Sequence, residues 1–307
     1  MNVDKPIDLQ GVRVGRVLTG ADGVRLHVAE AGDPKGPLVL LLHGFPENSA
    51  AWYRLMPELA RAAYVVAPDL RGYGLSDCPA EVASYRIEHL VADVIALING
   101  LGSRSCMLVG HDWGGALAWA TAIAHPQRID RLVILNAPHP VAFARALAGD
   151  PAQQAASQYM NWLRRPGSEE ALARDNFALL DRMLQSSSSK PWYSGDIRDA
   201  YHRAWARPGV LRGMVNWYRA TPLAPPAPGA ARAGFALPDA GRFIVHVPTL
   251  VIWGERDQAL LPGLLDGLDG LVTDLRIDRL ADASHWLVHE YPEAVIAAIA
   301  RLARPTP

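Results

Sequence analysis

The segment from Cys106 to His125, CMLVGHDWGGALAWATAIAH, constrains the fold more than any other part of the chain. An apolar run of strand type passes through Gly110-His111-Asp112-Trp113-Gly114 into an Ala-rich helical stretch ended by Pro126, so a buried strand must turn sharply into a helix around one central residue. Glycines two positions to either side of that residue meet the requirement, because a sharp turn crowds the neighbouring backbone and leaves no room for Cβ atoms. The turn pushes the side chain of Asp112 outward at a helix N-terminus, where the helix dipole favours negative charge. An Asp that merely caps a helix would have a similar sequence. The strand directly before it and the helix directly after it favour a functional carboxylate instead.

The rest of the chain alternates in the same way. VRVGRVL and VRLHVAEA, joined at Asp22-Gly23, predict a hairpin that leads into a buried strand at Leu38 to His43. Ala50 to Ala63 has helical spacing, Tyr64 to Ala67 reads as a short strand, Ile87 to Ile98 as a helix, and Ser105 to Val109 as a buried strand. With the helix from Gly114 to His125 and the strand from Arg131 to Leu135, the pattern predicts a doubly wound α/β sheet. From His139 to Ala220 the alternation stops and the propensity is helical, with frequent Trp, Tyr and Arg. This predicts a helical cap over residues 139–220, inserted into a core formed by 1–138 and 221–307. Thr221 to Gly241, rich in Pro, Ala and Gly, reads as an exposed linker. The core resumes at Pro248 with TLVIWGERD and ends with a strand over Asp274 to Leu280 and a helix from Pro292 to Leu302; no internal repeat is evident.

A length of 307 residues suits one such core with one insertion. The formal charge of −1 gives no electrostatic reason to expect nucleic acid or an anionic membrane, and points to a small, largely uncharged organic substrate. Cys78 and Cys106 are too few for a disulfide framework or a zinc cluster. The first thirty residues hold no apolar run of signal-peptide type and no later run approaches a membrane span, so a cytoplasmic location is expected. Nothing in the chain decides between a monomer and a homodimer.

The chemistry follows from the residue type at the turn. Where Ser is the familiar occupant, an Asp attacking an ester or amide would form an anhydride, a poor intermediate; attacking a saturated carbon that bears a leaving group, it forms an ordinary ester that water can open. Such a cycle needs a base, and of ten histidines His285, in ASHWLVHEYPEAV after the last strand, lies where a base should follow the nucleophile and the acid. His27, His125, His139 and His289 read as strand, helix-end, loop and helix residues with structural roles. Asp257 in VIWGERD follows a strand end and precedes His285, which suits the orienting acid. The other customary place holds Asn136, which carries no charge, and Asp282 is a weaker candidate. The backbone N–H groups of Phe45, in His43-Gly44-Phe45-Pro46, and of Trp113 are the expected donors to the oxyanion. None of these steps calls for a cofactor or metal.

HGFPENSAAW, DLRGYGLSD, VGHDWGG, LVILNAPHP, ERD and SHW together closely resemble the α/β-hydrolase fold family, specifically its epoxide hydrolase branch, over nearly the whole chain. The resemblance implies an eight-stranded, mostly parallel sheet with helices on both faces and an inserted helical cap. It also implies two cap tyrosines that protonate the departing oxygen, matched here by Tyr159 in QYMNWLRRPG and Tyr218 in NWYRA. Met160 stands where relatives can carry a polar residue. Trp113 is shared with haloalkane dehalogenases, which commonly have Asn or Glu where this chain has Phe45. Fluoroacetate dehalogenases share HGFP but place Arg where Trp113 stands. Epoxide hydrolysis is therefore the leading expectation, dehalogenation of an alkyl halide or haloacetate the alternative, and a binding protein without catalysis a third.

Overall fold

The strands β3 (Leu38–Leu42) and β5 (Cys106–His111) have every residue buried, as their continuous apolar runs require of strands covered on both faces. They lie side by side in parallel, with Leu42 opposite Gly110. The computed structural model in which they lie describes residues 11–230 and 234–303. Parts of the expected core, residues 1–10, 231–233 and 304–307, fall outside the described residues.

Around this pair the sheet has eight strands in the order β1-β2-β4-β3-β5-β6-β7-β8. The others are β1 (Val12–Thr19), β2 (Arg25–Ala31), β4 (Tyr64–Pro68), β6 (Ile129–Leu135), β7 (Thr249–Gly254) and β8 (Leu275–Leu280). Only the β1–β2 and β2–β4 pairings are antiparallel. Because β4 lies on one side of β3 and β5 on the other, the winding direction reverses at β3. The carboxyl ends of β3 and β5 therefore open onto a crevice where ligands bind in sheets of this kind.

Both faces are covered. On one, Leu40, Leu42, Leu108 and Ile134 pack with Val94 of α2 (Ile87–Gly100) and Leu117 and Trp119 of α3 (Trp113–Ala124). On the other, Leu41, Val109, Val133 and Ile252 pack with Met56 of α1 (Met56–Leu59), Leu287 of α10 (Leu287–Glu290), and Val295 and Ile299 of α11 (Pro292–Ala303).

The helix expected over Ala50 to Ala63 is instead a 3-10 turn at Ser49–Trp52 followed by the single turn α1. Asn48 caps the first piece by accepting from Ala50 N, and Pro57 sits in the first turn of the second, where its missing N–H costs nothing. Trp52, Leu55, Met56 and Leu59 keep helical spacing because both pieces press the same face of the sheet.

Among the described residues, six α-helical stretches lie between β6 and β7: α4 (Pro140–Gly149), α5 (Pro151–Ala156), α6 (Gln158–Leu163), α7 (Ser168–Ser186, broken at Arg174 to Phe177), α8 (Gly195–Trp205) and α9 (Val210–Ala220). Indole groups tie them to the core. Trp205 Nε1 donates to Pro46 O (2.7 Å), Trp217 Nε1 to Arg71 O (2.9 Å), and Trp286 Nε1, from the core side, to Ser187 Oγ (2.8 Å). At Gly213 the helix α9 meets Gly72 so closely that a Cβ would lie 2.6 Å from the Gly72 Cα. The segment after α9 is less exposed than its composition suggests: Pro225 is buried, and the side-chain amides of Asn161 and Gln158 donate to the carbonyls of Pro225 and Pro226. Among the described residues no helix is long and apolar enough to cross a membrane.

Candidate active site

Asp112 sits between β5 and α3 at φ 51° and ψ −122°, a backbone that L-residues rarely adopt. The glycines around it are there because nothing larger fits. A Cβ on Gly110 would lie 2.3 Å from Gly114 O, and one on Gly114 would lie 2.1 Å from Leu42 O. Although Asp112 occupies the N-cap position of α3, its side chain makes no capping bond. It turns the other way, and Oδ1 accepts a hydrogen bond from Phe45 N at 2.7 Å. The amide of Trp113, the second expected donor, makes no bond to the resting carboxylate among the described residues.

Gly44 makes the approach of these two loops possible, since a Cβ there would lie 2.3 Å from Asp112 Oδ1. Gly44→Ala is therefore expected to displace the Asp112 carboxylate and lower turnover by about 10²-fold. Thermal melting should move far less than activity; a loss of activity that merely tracks loss of folded protein would contradict this reading.

The other oxygen, Asp112 Oδ2, lies 3.7 Å from His285 Nε2. Behind the ring, His285 Nδ1 donates to Asp257 Oδ2 at 2.7 Å. Asp257 Oδ1 accepts from the amides of Ala259 and Leu260, both at 2.9 Å. Burial works against the Asp257 carboxylate, but the His285 charge and the hydrogen bonds from His285, Leu260 and Asn136 hold it below the usual carboxylate range. Burial alone would lower the His285 imidazole; the charge and hydrogen bond of Asp257, followed by the charges of Asp112 and Glu47, outweigh it and raise it to about 9. Asp282 pairs instead with Arg256 on the surface, too exposed to orient a buried base.

Tyr159 of α6 and Tyr218 of α9 lie together beside the loops that hold Asp112. The Tyr218 ring lies 5.2 Å from that of Phe45 and 5.1 Å from that of Trp113, both edge-on, and Tyr159 stands 6.1 Å from Tyr218. Burial, reinforced by the Asp112 charge, raises both phenols well above the ordinary tyrosine value, so both keep their protons near neutral pH. Among the described residues neither hydroxyl donates a hydrogen bond to protein. The structure thus brings together Asp112, His285, Asp257, Tyr159, Tyr218, Phe45 and Trp113 from six separate segments.

Behind the base lies a second set of polar residues to which the sequence reading gave no role in the site. His111 Nε2 donates to His285 O at 2.8 Å, and His111 Nδ1 lies 3.3 Å from Glu47 Oε2 without hydrogen-bond alignment. Glu47 Oε1 accepts from His289 Nε2 (2.6 Å) and from Tyr201 Oη (2.7 Å) of the cap. Burial would raise the Glu47 carboxyl, yet the charge and hydrogen bond of His289, together with the nearby His111, hold it well below the usual range. Its one sequence signal was an acidic residue directly after the HGFP turn. Of the remaining histidines, His139 caps α4 and bonds Phe243 O, while His27 lies in β2 and His125 ends α3.

The chain is similar to proteins of known family. Residues 37–292 match the profile described as the alpha/beta hydrolase fold. The AB hydrolase superfamily protein YfhM of Bacillus subtilis is 36% identical over 289 residues, covering 94% of this chain and 96% of that one. Epoxide hydrolase 4 of Mus musculus is 34% identical over 280 residues, 89% of this chain and 74% of that protein. A solved structure among novel epoxide hydrolases from metagenomes of hot environments superposes with a TM-score of 0.86 at 34% identity, over 96% of this chain and 99% of that one. An Asp at the elbow, a His and Asp behind it and similarity of this extent along the chain lead to one assignment: the chain belongs to the α/β-hydrolase fold family, in its epoxide hydrolase branch.

Proposed function

We propose that this protein converts epoxides to vicinal diols through an ester on Asp112. The observation that carries the reading is the division of labour between the two Asp112 oxygens beneath a pair of protonated tyrosines. Oδ1 is held by Phe45 N–H, and Oδ2 is left facing His285. Oδ2 attacks an epoxide carbon; the C–O bond of the ring breaks, and the departing oxygen takes a proton from Tyr159 or Tyr218, the other phenol sharing the developing charge. Water then gives a proton to His285 Nε2 and attacks Asp112 Cγ. The oxyanion forms on Oδ1, where the Phe45 amide already stands. When the Cγ–Oδ2 bond breaks, the diol takes a proton from His285, and the proton left on the regenerated carboxyl returns to the tyrosinate. Water and a small, largely uncharged organic molecule are the only reactants.

This cycle uses His285 in two protonation states. In the free enzyme the Asp112 charge helps raise the ring to about 9, so it is cationic near neutral pH. Esterification removes that charge, and the ring can release its proton and act as a base. The rate constant for ester hydrolysis, followed by stopped-flow in single turnovers, is expected to rise roughly tenfold per pH unit below the midpoint of the base. That midpoint should lie below the value of about 9 for the free enzyme; a hydrolysis rate independent of pH would contradict the role of His285. The sign for stability is opposite. A group raised on folding contributes stability that is complete below its unfolded value of about 6.5 and lost as pH climbs through the folded value.

Incubation with styrene oxide and related epoxides tests the activity, with diol as the expected product. Halide release from alkyl halides with no diol from any epoxide would move the assignment to dehalogenation.

A further inference from the structure

Asn136 follows β6 at φ 39°, a left-handed backbone in a side chain with no exposure to solvent. Its backbone N donates to Ile252 O at 3.2 Å, and its side chain continues toward β7. Oδ1 accepts from Gly254 N at 2.7 Å, while Nδ2 donates to Gly254 O at 3.3 Å and to Asp257 Oδ2 at 2.6 Å. The amide has only one workable orientation, because Gly254 N offers a proton and the carboxylate needs one. Asp257 Oδ2 is the same oxygen that accepts from His285 Nδ1. Gly254 in turn packs on the loop that carries the base, since a Cβ there would lie 2.3 Å from Ser284 O. One buried side chain thus touches the acid and the strand end against which the base loop rests.

Asn carries no charge and cannot orient the imidazole itself, yet its donor occupies a lone pair of the acid oxygen that does. We infer that Asn136 is a positioning residue for the second half of the reaction: its amide fixes the rotation and charge of Asp257, and through Asp257 the readiness of His285 to take a proton from water. The inference rests on the ester cycle proposed above. It also makes a distinction between the two steps, because attack by Asp112 Oδ2 needs no base. The titratable groups around His285 are Asp257 after β7, Asp112 and His111 at the end of β5, Glu47 after β3, and Tyr159 of the cap, near both carboxylates. Among the described residues, Asn136 hydrogen-bonds only Asp257 of these.

The test measures ester formation and ester hydrolysis separately, by rapid-quench intact-protein mass with styrene oxide across pH. In Asn136→Ala, hydrolysis should slow by about 10-fold or more while alkylation stays within about 3-fold, so that the ester accumulates. Asn136→Asp keeps an acceptor for Gly254 N but sets a second carboxyl against Asp257. Two such groups share one proton and repel once it is lost, so the hydrolysis rate relative to wild type should fall as pH rises. It also covers the case in which Asn136→Ala fails to fold. Equal slowing of both steps, or an Asn136→Asp to wild-type ratio that stays constant with pH, would mean that Asn136 merely supports the fold and would overturn the inference. Failure of the ester cycle would be seen separately, as a wild type that forms diol without passing through an ester.

Discussion

Replacing both Tyr159 and Tyr218 by Phe is expected to lower epoxide opening by about 10³-fold or more, with the fold intact. An alkoxide is strongly basic and leaves poorly unless it is protonated as the C–O bond breaks. The two phenols beside Phe45 and Trp113 are the proposed donors. Their proton affinities are raised by burial and by the Asp112 charge, so neither donor is lost by ionisation near neutral pH. The rings would remain in Phe, so packing changes little, and the deficit should lie in the alkylation step. An alkyl halide gives the control, because halide departs without a proton: any release of halide by the wild type should survive in the double variant. Equal loss of both reactions would assign the tyrosines to packing.

The second large effect is expected from His285→Gln, in which diol formation should fall by about 10⁴-fold while the first turnover survives. In the proposed cycle Asp112 Oδ2 attacks as a carboxylate and needs no base, whereas water does. The variant should therefore consume about one equivalent of epoxide and stop, with the intact mass raised by one substrate. Gln is near enough in size to leave the neighbours Asp257, His111 and Trp286 in place. Failure to consume any epoxide would place His285 in the first step.

The turn that presents Asp112 was legible because its constraint is local. Gly110, Asp112 and Gly114 belong to one turn, and the clashes that require the glycines arise between residues near them in sequence or on the adjoining strand. Strands β3 and β5 were legible for a similar reason: a continuous apolar run is what burial on both faces demands. The order of Asp257 and His285 along the chain pointed to a pair that the structure joins by a hydrogen bond. Tyr159 and Tyr218 came from resemblance alone, since a Tyr on a helix is ordinarily a packing residue.

What escaped the sequence is long-range. Glu47 meets His289 across 242 residues and Tyr201 across 154, and Asn136 meets Asp257 across 121. No local pattern encodes such pairs. Asn136 was set aside because it could not be the acid, although its amide hydrogen-bonds Asp257 from that same position. The helix expected over Ala50 to Ala63 failed for the opposite reason: the apolar spacing was real, but Pro57 and the Asn48 cap divide it into two short turns on one buried surface. Periodicity records which face is buried and says little about where the hydrogen bonds break.

The ester on Asp112 is tested most directly by a single turnover with enzyme in excess in water labelled with oxygen-18. If Oδ2 forms the bond to carbon and water opens the ester at Cγ, the diol leaves with the unlabelled Asp112 oxygen and the label enters the enzyme. The expected result is first-turnover diol free of oxygen-18 and one label in the peptide that contains Asp112. Diol carrying the label from the first turnover, with an unlabelled peptide, would mean that water attacks the epoxide itself, and would contradict the account.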